Sequence, residues 1–184
     1  SCRRKLGDAD YERILGILRA HGIRFFLYIG GNDSADTSHR LAALAEREDY
    51  ELRVMGIPKT VDNDLVGTAH CPGYPSVARW LATSVRDAGL DTEAIGIVDT
   101  VKVIETMGRD TGWITASTAL ARTHENAAPH LIYLPERPLR REQLLADVER
   151  VHKALGHVVL TVCEGQKDEQ GRYLSASTKA VDVD

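Results

Sequence analysis

Short apolar runs alternate with longer segments of helical periodicity along the chain, and this alternation restricts the fold more than any other feature of the sequence. Short apolar runs bounded by turn residues are typical of buried strands, whereas apolar residues spaced by three and four are typical of helices. The predicted strands are residues 23–29, 50–57, 100–105, 130–134 and 157–163. Strands that alternate with helices form parallel sheets with helices on both faces, because each parallel connection needs a crossover. The sequence therefore predicts an α/β protein.

The predicted helices fill the intervals between these strands. They run from Asp10 to Ala20, from an N-cap at Ser34 to about Arg47, through the stripe Val77, Leu81 and Val85, from Gly112 to Arg122, and through residues 144–155 with Gly156 as the stop. Capping residues and glycine stops mark helix ends because the terminal backbone groups need partners. The densest turn cluster, residues 70–75, contains Gly73, which we take as the crossing between two domains, residues 1–73 and 74–184.

Charge and cysteine usage exclude several classes of partner. The 23 basic and 27 acidic residues are spread along the chain, so no basic block is present to bind nucleic acid or an anionic membrane surface. Cys2, Cys71 and Cys163 are odd in number and far apart, which argues against a disulfide framework and against a paired zinc site. No apolar run approaches the roughly 20 residues of a membrane span. We expect a cytoplasmic protein that binds neither nucleic acid nor membranes.

Glycine and polar residues follow four of the predicted strands, which is where parallel sheets bind their ligands. The clusters are Gly30–Ser34, Lys59–Asp64, Met107–Arg109 and Glu164–Gly165. In the first cluster, consecutive glycines between a strand and a helix would let backbone N–H groups approach a phosphate. A tight turn followed by a capping serine explains the same residues, so this cluster predicts a phosphate site only in company with the others.

The second cluster has the groups that phosphoryl transfer uses. In an extended segment Thr60, Asp62 and Asp64 would project to one side, beside Lys59. A carboxylate that accepts a hydroxyl proton, a lysine that neutralises phosphate charge and a divalent cation are the parts of that chemistry. An Asx-type turn after Pro58 is the structural alternative.

The remaining two clusters give weaker signals. Arg109 offers a fork of donors to a sugar phosphate or lies in a solvated turn. Glu164–Gly165 is ordinary loop chemistry when taken alone.

Three of these segments, in this order, resemble the motifs of the phosphofructokinase family. Gly30–Ser34 is similar to the family's G-G-D-G/D-S loop, Pro58–Asp64 to its P-K-T-I-D-N-D signature and Met107–Trp113 to its M-G-R-x-x-G-x segment. The resemblance extends from about Ile23 to Arg172. It implies a Rossmann-like α/β fold, incomplete at both ends, in which residues 1–73 belong to the domain that binds the phosphoryl donor and residues 74–184 to the domain that binds the sugar phosphate.

The resemblance also implies roles for individual residues. Asp62 would be the base that takes the proton of the sugar's 1-hydroxyl, with Lys59 and Thr60 as the other catalytic residues. The sugar phosphate would contact Thr60, Val61, Asp62, Met107, Gly108, Arg109 and Glu164. The donor would lie on Gly30, Gly31, Asn32, Asp33, Ser34 and Lys59. Asn32 stands where many members have a magnesium-binding aspartate, so the candidate Mg²⁺ ligands are Asn32, Asp33 and Asp64, together with the donor itself.

Two positions bear on the donor. Members that use ATP commonly have glycine at the positions of Asp33 and Lys59, whereas pyrophosphate users resemble this chain. The aspartate at position 33 would repel a nucleotide's α-phosphate, and Lys59 would hold the compact pyrophosphate. The implied reaction is reversible transfer from pyrophosphate to fructose 6-phosphate, a step of glycolysis, in a homo-oligomer. The alternatives are an ATP-dependent 6-phosphofructokinase and a regulatory subunit that binds sugar phosphate without turnover.

Other kinases that share a G-G-D-G-type loop, the NAD and lipid kinases, lack the second and third motifs of this chain. In ATP-dependent bacterial members an arginine of the strand before M-G-R reaches a neighbouring subunit, and here that region contains Lys102. The family's glycine-rich G-G-x-x-P-G-x-N donor loop does not occur in these 184 residues. We therefore expect the chain alone to have little or no activity.

Overall fold

Strands and helices alternate throughout the computed structural model, which describes residues 5–174. The strands are β1 (Phe25–Gly30), β2 (Arg53–Pro58), β3 (Val101–Thr106), β4 (Leu131–Tyr133) and β5 (Val158–Cys163). The helices are α1 (Asp8–Ala20), α2 (Asn32–Arg47), α3 (Tyr74–Ile95), α4 (Trp113–Ser117) and α5 (Arg141–Leu155), and a 3₁₀ turn, Thr118–Ala121, continues α4. The predicted α/β class is confirmed. No helix of the described part of the chain is both long and apolar enough to cross a membrane.

All the strand pairings between these elements are parallel. In one sheet β1 lies beside β2, with Phe25 opposite Arg53 and Gly30 opposite Pro58. In the other sheet the order is β3-β5-β4. Parallel neighbours require crossovers, and each interval between paired strands contains the helix that makes one. The parallel arrangement predicted from the sequence is therefore confirmed.

The chain divides into two compact units, the first ending at Thr60 and the second beginning at Val61. This division lies before Gly73, the predicted crossing. The reason is local, because the turn-rich segment after Thr60 makes its contacts within the second unit. Asn63, for example, accepts a hydrogen bond from the Cys71 N–H at 2.7 Å. The assignment of the two parts to donor and sugar phosphate stays a prediction.

The first unit has its core between its two helices and one face of its sheet. The buried cluster consists of Tyr11, Leu15, Leu18, Leu41, Leu44 and Ala45, with Phe26 and Val54 packed against it from the strands. Because side chains alternate along a strand, Phe25, Leu27 and Ile29 point to the other face, where they are exposed. Within the described part of this unit, the helices cover one face of the β1-β2 sheet.

In the second unit β5 is the central and most buried strand. Val158, Val159 and Leu160 are at most 3% exposed. Polar side chains in this core are paired: the hydroxyls of Thr118 and Thr161 are 2.9 Å apart, and those of Thr106 and Thr115 are 2.6 Å apart. Such pairing removes the cost of burying a lone hydroxyl.

Two predicted helix boundaries are wrong. Ser34 does not cap α2, which begins at Asn32 with Gly31 as its N-cap residue. Ser34 lies within the first turn because Gly30 leaves room for it, since a Cβ on Gly30 would overlap the Ser34 side chain. The predicted helix from Gly112 to Arg122 ends as an α-helix at Ser117 and continues as the 3₁₀ turn, in which the Thr118 hydroxyl donates to the Thr115 carbonyl at 2.6 Å.

The His130 ring is held by two hydrogen bonds at the edge of the second sheet. Its Nδ1 accepts the N–H of Val159 at 2.8 Å, and its Nε2 faces the Asn126 carbonyl at 3.3 Å. The ring of His157 lies edge-on, with 5.2 Å between ring centroids. A ring that accepts at Nδ1 and donates from Nε2 is the neutral imidazole. Burial lowers the pKa of His130 below its ordinary value, although the Asn126 carbonyl works in the opposite direction.

Stability is therefore expected to fall on acidification. Because the folded-state pKa of His130 is lowered, its contribution is complete above about pH 6.5, the unfolded value, and is lost as the pH falls towards the folded value. The Arg122 and Glu93 charges also act on the ring, and Arg122 lowers its pKa whereas Glu93 raises it. The difference between the free energies of unfolding in urea at pH 8 and pH 5.5 measures this loss of stability. In His130→Asn we expect this difference to be smaller. Replacement of the exposed His124 by asparagine is the control, and an equal effect there would contradict the assignment.

Candidate active site

Two carboxylates of the predicted site, the proposed base Asp62 and the candidate Mg²⁺ ligand Asp64, meet a single arginine in the second unit. Arg109 Nε donates to Asp62 Oδ2 at 2.8 Å, and its Nη2 donates to Asp64 Oδ2 at 3.0 Å. Guanidinium–carboxylate bonds of this kind are stronger than neutral hydrogen bonds because both partners are charged. The structure therefore joins the second and third motifs of the sequence in one ionic cluster, Asp62–Asp64–Arg109.

The segment that carries the two aspartates is a turn, which corrects the predicted extended conformation. Asn63 between them has a φ of 61°, a left-handed value that asparagine tolerates better than most residues. Its side chain is used structurally: Oδ1 accepts the Cys71 N–H at 2.7 Å and Nδ2 donates to the Ala69 carbonyl at 3.1 Å. The Asn63 side chain therefore ties this turn to the segment six to eight residues further on and does not close an Asx turn, while the aspartates on either side of it bind Arg109.

Asp62 is the most buried carboxylate of the cluster, at 7% exposure, whereas Arg109 is largely exposed. A carboxylate removed from water needs a positive partner to stay ionised. The hydrogen bond to Asp62, with the charges of Asp62 and Asp64, raises the pKa of Arg109 above its ordinary value, so the guanidinium keeps its proton. The cluster thus places a buried carboxylate, the kind of group that accepts a proton from a hydroxyl, beside a fixed cation.

The other predicted sugar-binding residues of this unit surround the Arg109 backbone. Glu164 Oε1 accepts the Arg109 N–H at 3.3 Å, and Met107 is exposed beside it at the end of β3. Gly108 has a φ of 141°, and a Cβ there would overlap the Thr111 carbonyl. Glycine at this position is thus required by the loop itself.

Two polar contacts that the sequence does not predict, an ion pair and a hydrogen bond, hold the far side of the same loop. Lys167 Nζ lies 2.7 Å from Asp110 Oδ1, and Glu136 Oε1 accepts the Gly112 N–H at 2.7 Å. The bond to Asp110 raises the pKa of Lys167. Lys167 and Glu136 are separated from the loop by 57 and 24 residues, and charged residues at such separations give no local signal of a contact.

The predicted donor residues lie together in the first unit. The Lys59 N–H donates to the Gly30 carbonyl at 2.9 Å, which places the ends of β1 and β2 side by side. A Cβ on Gly31 would lie 4.0 Å from Lys59 Nζ, so the ammonium group lies over the glycine turn. Asn32 and Asp33 are exposed in the first turn of α2, at the positive end of the helix dipole. Thr60 follows as the last residue of this unit.

Three further sequence expectations concern metals, thiols and Lys102. In the described residues, no group of three or more histidine, cysteine, aspartate or glutamate side chains is arranged to hold a metal ion. Cys71 and Cys163 are buried free thiols, and Cys2 lies outside the described residues. Lys102 Nζ binds Asp91 at 2.6 Å and faces the Ala88 carbonyl at 3.3 Å, so α3 holds this ammonium group within its own unit.

Comparison with known proteins identifies the origin of these motifs. The sequence profile of the family described as Phosphofructokinase matches residues 1–183. The chain is 44% identical over 188 residues to a pyrophosphate–fructose 6-phosphate 1-phosphotransferase of Xanthomonas campestris pv. campestris, covering 99% of this chain and 45% of that protein. It is also 44% identical over 183 residues to the protein of the same name from Halomonas elongata, covering 96% of this chain and 44% of that protein.

A solved structure has the same fold. The pyrophosphate-dependent phosphofructokinase of Marinobacter aquaeolei matches with a TM-score of 0.80 and 43% identity, covering 92% of this chain and 43% of that one. The chain thus spans a little under half the length of the relatives that it matches. The resemblance inferred from three short motifs extends over almost every residue of the chain, and the chain belongs to the phosphofructokinase family.

Proposed function

We propose that the protein to which this chain belongs transfers a phosphoryl group reversibly between pyrophosphate and the 1-hydroxyl of fructose 6-phosphate, giving fructose 1,6-bisphosphate in glycolysis. The observation that carries the proposal is the ion pairing of Arg109 with Asp62 and Asp64, because it places a carboxylate base beside a cation. The names of the relatives at 44% identity support the same reaction.

On the acceptor side, Asp62 takes the proton of the sugar's 1-hydroxyl as the oxygen attacks phosphorus. Arg109 orients the Asp62 carboxylate before the sugar arrives, through the 2.8 Å bond from its Nε. Its side chain is 54% exposed, so an incoming phosphate oxygen has access to its donors. The fructose 6-phosphate site in this proposal consists of Thr60, Val61, Asp62, Met107, Gly108, Arg109 and Glu164.

On the donor side, Lys59 and the N-terminal turn of α2 bind pyrophosphate. The ammonium group of Lys59 lies over Gly31, and the helix dipole adds partial positive charge at Asn32 and Asp33. The Asp33 side chain excludes a nucleotide by repelling its α-phosphate. Little covalent chemistry remains for the protein, since positioning and charge supply most of the catalysis of phosphoryl transfer.

The proposed metal is Mg²⁺ that arrives with pyrophosphate. A ligand cage built by the protein does not fit, since no cluster of three potential ligands exists among the described residues. The carboxylates of Asp33 and Asp64 and the amide oxygen of Asn32 do fit the usual mode, in which Mg²⁺ keeps waters and phosphate oxygens and takes one or two protein oxygens. When bound, the ion would neutralise charge on the donor.

The family resemblance and the chemistry of the chain support the remaining assignments. The reaction is expected to run in both directions, as the resemblance to the family's pyrophosphate users implies. Cys71 and Cys163 are free thiols in the structure, which fits the cytoplasm. We further propose a homo-oligomer, as the family resemblance implies.

Product formation by the full-length protein tests the proposal. With Mg²⁺ and fructose 6-phosphate, pyrophosphate and ATP are offered in separate reactions and fructose 1,6-bisphosphate is measured. Activity with pyrophosphate alone is the expected result. Activity with ATP but not with pyrophosphate would mean that the donor is ATP. Binding of fructose 6-phosphate without turnover would favour a regulatory subunit. The 184-residue chain, assayed in parallel, is expected to be inactive.

A further inference from the structure

Arg109 has a backbone conformation that arginine rarely adopts. Its φ is 52°, in the left-handed region where a side chain crowds its own backbone. A residue in such a conformation is strained and persists only where its surroundings determine it. The residues that touch the Arg109 backbone therefore decide where its guanidinium points.

Three consecutive residues at the end of β5 make those contacts, and we call Cys163, Glu164 and Gly165 the β5 clasp. Cys163 Sγ donates to the Arg109 carbonyl at 3.3 Å, and Glu164 Oε1 accepts the Arg109 N–H at 3.3 Å. Gly165 is buried directly beneath the same carbonyl, and a Cβ on Gly165 would overlap the Arg109 oxygen. Both polar groups of the Arg109 backbone are thus held from one strand end.

This contact is the reason that position 165 requires glycine. Glycine is often required because its own φ is positive, but Gly165 does not have a positive φ, unlike Gly108 or Gly171. Its own backbone would accept any residue. The lack of a side chain matters only because the Arg109 carbonyl occupies the space where a Cβ would stand.

We propose that Gly165, together with Cys163, is a positioning residue that acts through Arg109. By fixing the Arg109 backbone, the β5 clasp aims the guanidinium so that Nε meets Asp62 and Nη2 meets Asp64. A side chain at position 165 displaces the carbonyl, turns the peptide and separates the guanidinium from Asp62. The kinetic consequence of this proposal rests on the proposed function, whereas the displacement of Arg109 does not.

A double-mutant cycle in the full-length enzyme tests the coupling. Gly165→Ala is expected to lower kcat/KM for fructose 6-phosphate on the order of tenfold, less than the hundredfold that a misplacement of 1 Å can cost. In an Arg109→Ala background the same change is expected to have little further effect, because the group it misplaces is gone. Equal losses in both backgrounds, or no loss in either, would overturn the proposal.

Gly171→Ala is the matched control. Gly171 lies in the loop six residues further on, and a Cβ there meets nothing within 4 Å. Its φ of 75° makes the alanine variant strained. The control therefore destabilises the fold near the β5 clasp, but the new methyl group does not touch Arg109. We expect its kcat/KM to stay within about twofold of wild type, as for a surface change away from the site. A loss equal to that of Gly165→Ala would mean that the clasp has only a structural role.

Cys163 provides a milder variant if Gly165→Ala does not fold. Cys163→Ala removes the donor to the Arg109 carbonyl, and Cys163→Ser restores a donor at nearly the same place. We expect kcat/KM to fall severalfold in the alanine variant and to recover in the serine variant. Failure of serine to recover activity above the alanine level would contradict the role of the S–H donor.

A readout that does not need turnover separates this inference from the proposed function. Phenylglyoxal modifies guanidinium groups, and its rate at Arg109 is followed by peptide mass spectrometry with the exposed Arg150 as internal reference. Gly165→Ala is expected to speed modification of Arg109 severalfold relative to Arg150. An unchanged ratio of the modification rates of Arg109 and Arg150 would contradict the positioning role even in an active enzyme. A raised ratio in a protein inactive with pyrophosphate would leave the positioning role standing and remove the proposed function.

Discussion

In the full-length protein, replacing Asp62 by asparagine is expected to lower kcat of the proposed reaction by about 10²- to 10⁴-fold, the usual contribution of a general base. The amide is nearly the same shape as the carboxylate, but it cannot accept the proton of the attacking hydroxyl. Because an amide oxygen can still accept a hydrogen bond from Arg109 Nε, KM for fructose 6-phosphate is expected to change much less than kcat. Steady-state rates with saturating pyrophosphate measure both quantities.

The control for this change is Asp87→Asn on the exposed surface of α3. Asp87 pairs only loosely with Arg86, at 3.6 Å, so the same chemical change there should leave kcat intact. Circular dichroism of each variant shows whether the fold survives. A folded Asp62→Asn enzyme with kcat within tenfold of wild type would remove Asp62 from the role of base.

A second large effect is expected at the donor positions. Lys59→Gly should reduce kcat/KM for pyrophosphate by about 10²- to 10³-fold, the usual cost of removing one group that stabilises developing charge. Lys59 is well placed for this role, since its ammonium group lies over the Gly31 turn. Adding Asp33→Gly removes the carboxylate that repels a nucleotide, so the double variant is expected to gain measurable activity with ATP.

The comparison that matters is the ratio of kcat/KM for pyrophosphate to that for ATP. The control variants are Lys153→Gly and Asp36→Gly, at exposed positions on α5 and α2. Each makes the same amino-acid exchange as the test variant, but away from the proposed donor site. These controls should leave the ratio unchanged. An undiminished preference for pyrophosphate in the double variant would show that other residues select the donor.

Local signals predicted the elements well, because apolar runs and glycine stops act within a few residues. The strand from 157 to 163 and the stop at Gly156 were visible in this way, and the structure has β5 at Val158–Cys163 with Gly156 in the left-handed conformation. The cap at Ser34 was wrong because its position depends on Gly30, whose lack of a side chain admits Ser34 into the helix. That is a contact in space, which propensity does not describe.

The candidate site was predictable in its residues but not in its connections. Motifs named Asp62, Asp64 and Arg109, yet the ion pairs join residues 47 and 45 positions apart, and nothing in their spacing specifies which carboxylate meets which nitrogen. Gly165 appeared as an ordinary loop glycine. Its closeness to the Arg109 carbonyl arises from the ends of β3 and β5 lying side by side, with Thr106 opposite Cys163.

The buried threonine pairs of the second unit bear on how this family diverges. The Thr118 hydroxyl also donates to the Thr115 carbonyl at 2.6 Å, so it keeps a partner when Thr161 is replaced by valine. Exchanging Thr118 alone for valine would instead remove the Thr161 hydroxyl's bond to Thr118 in the core, at a cost of about 1–3 kcal/mol, whereas exchanging both residues for apolar ones of the same shape is nearly neutral. Loss of the Thr118 hydroxyl before that of Thr161 is therefore disfavoured, and homologous sequences with an apolar residue at position 118 should also have one at position 161.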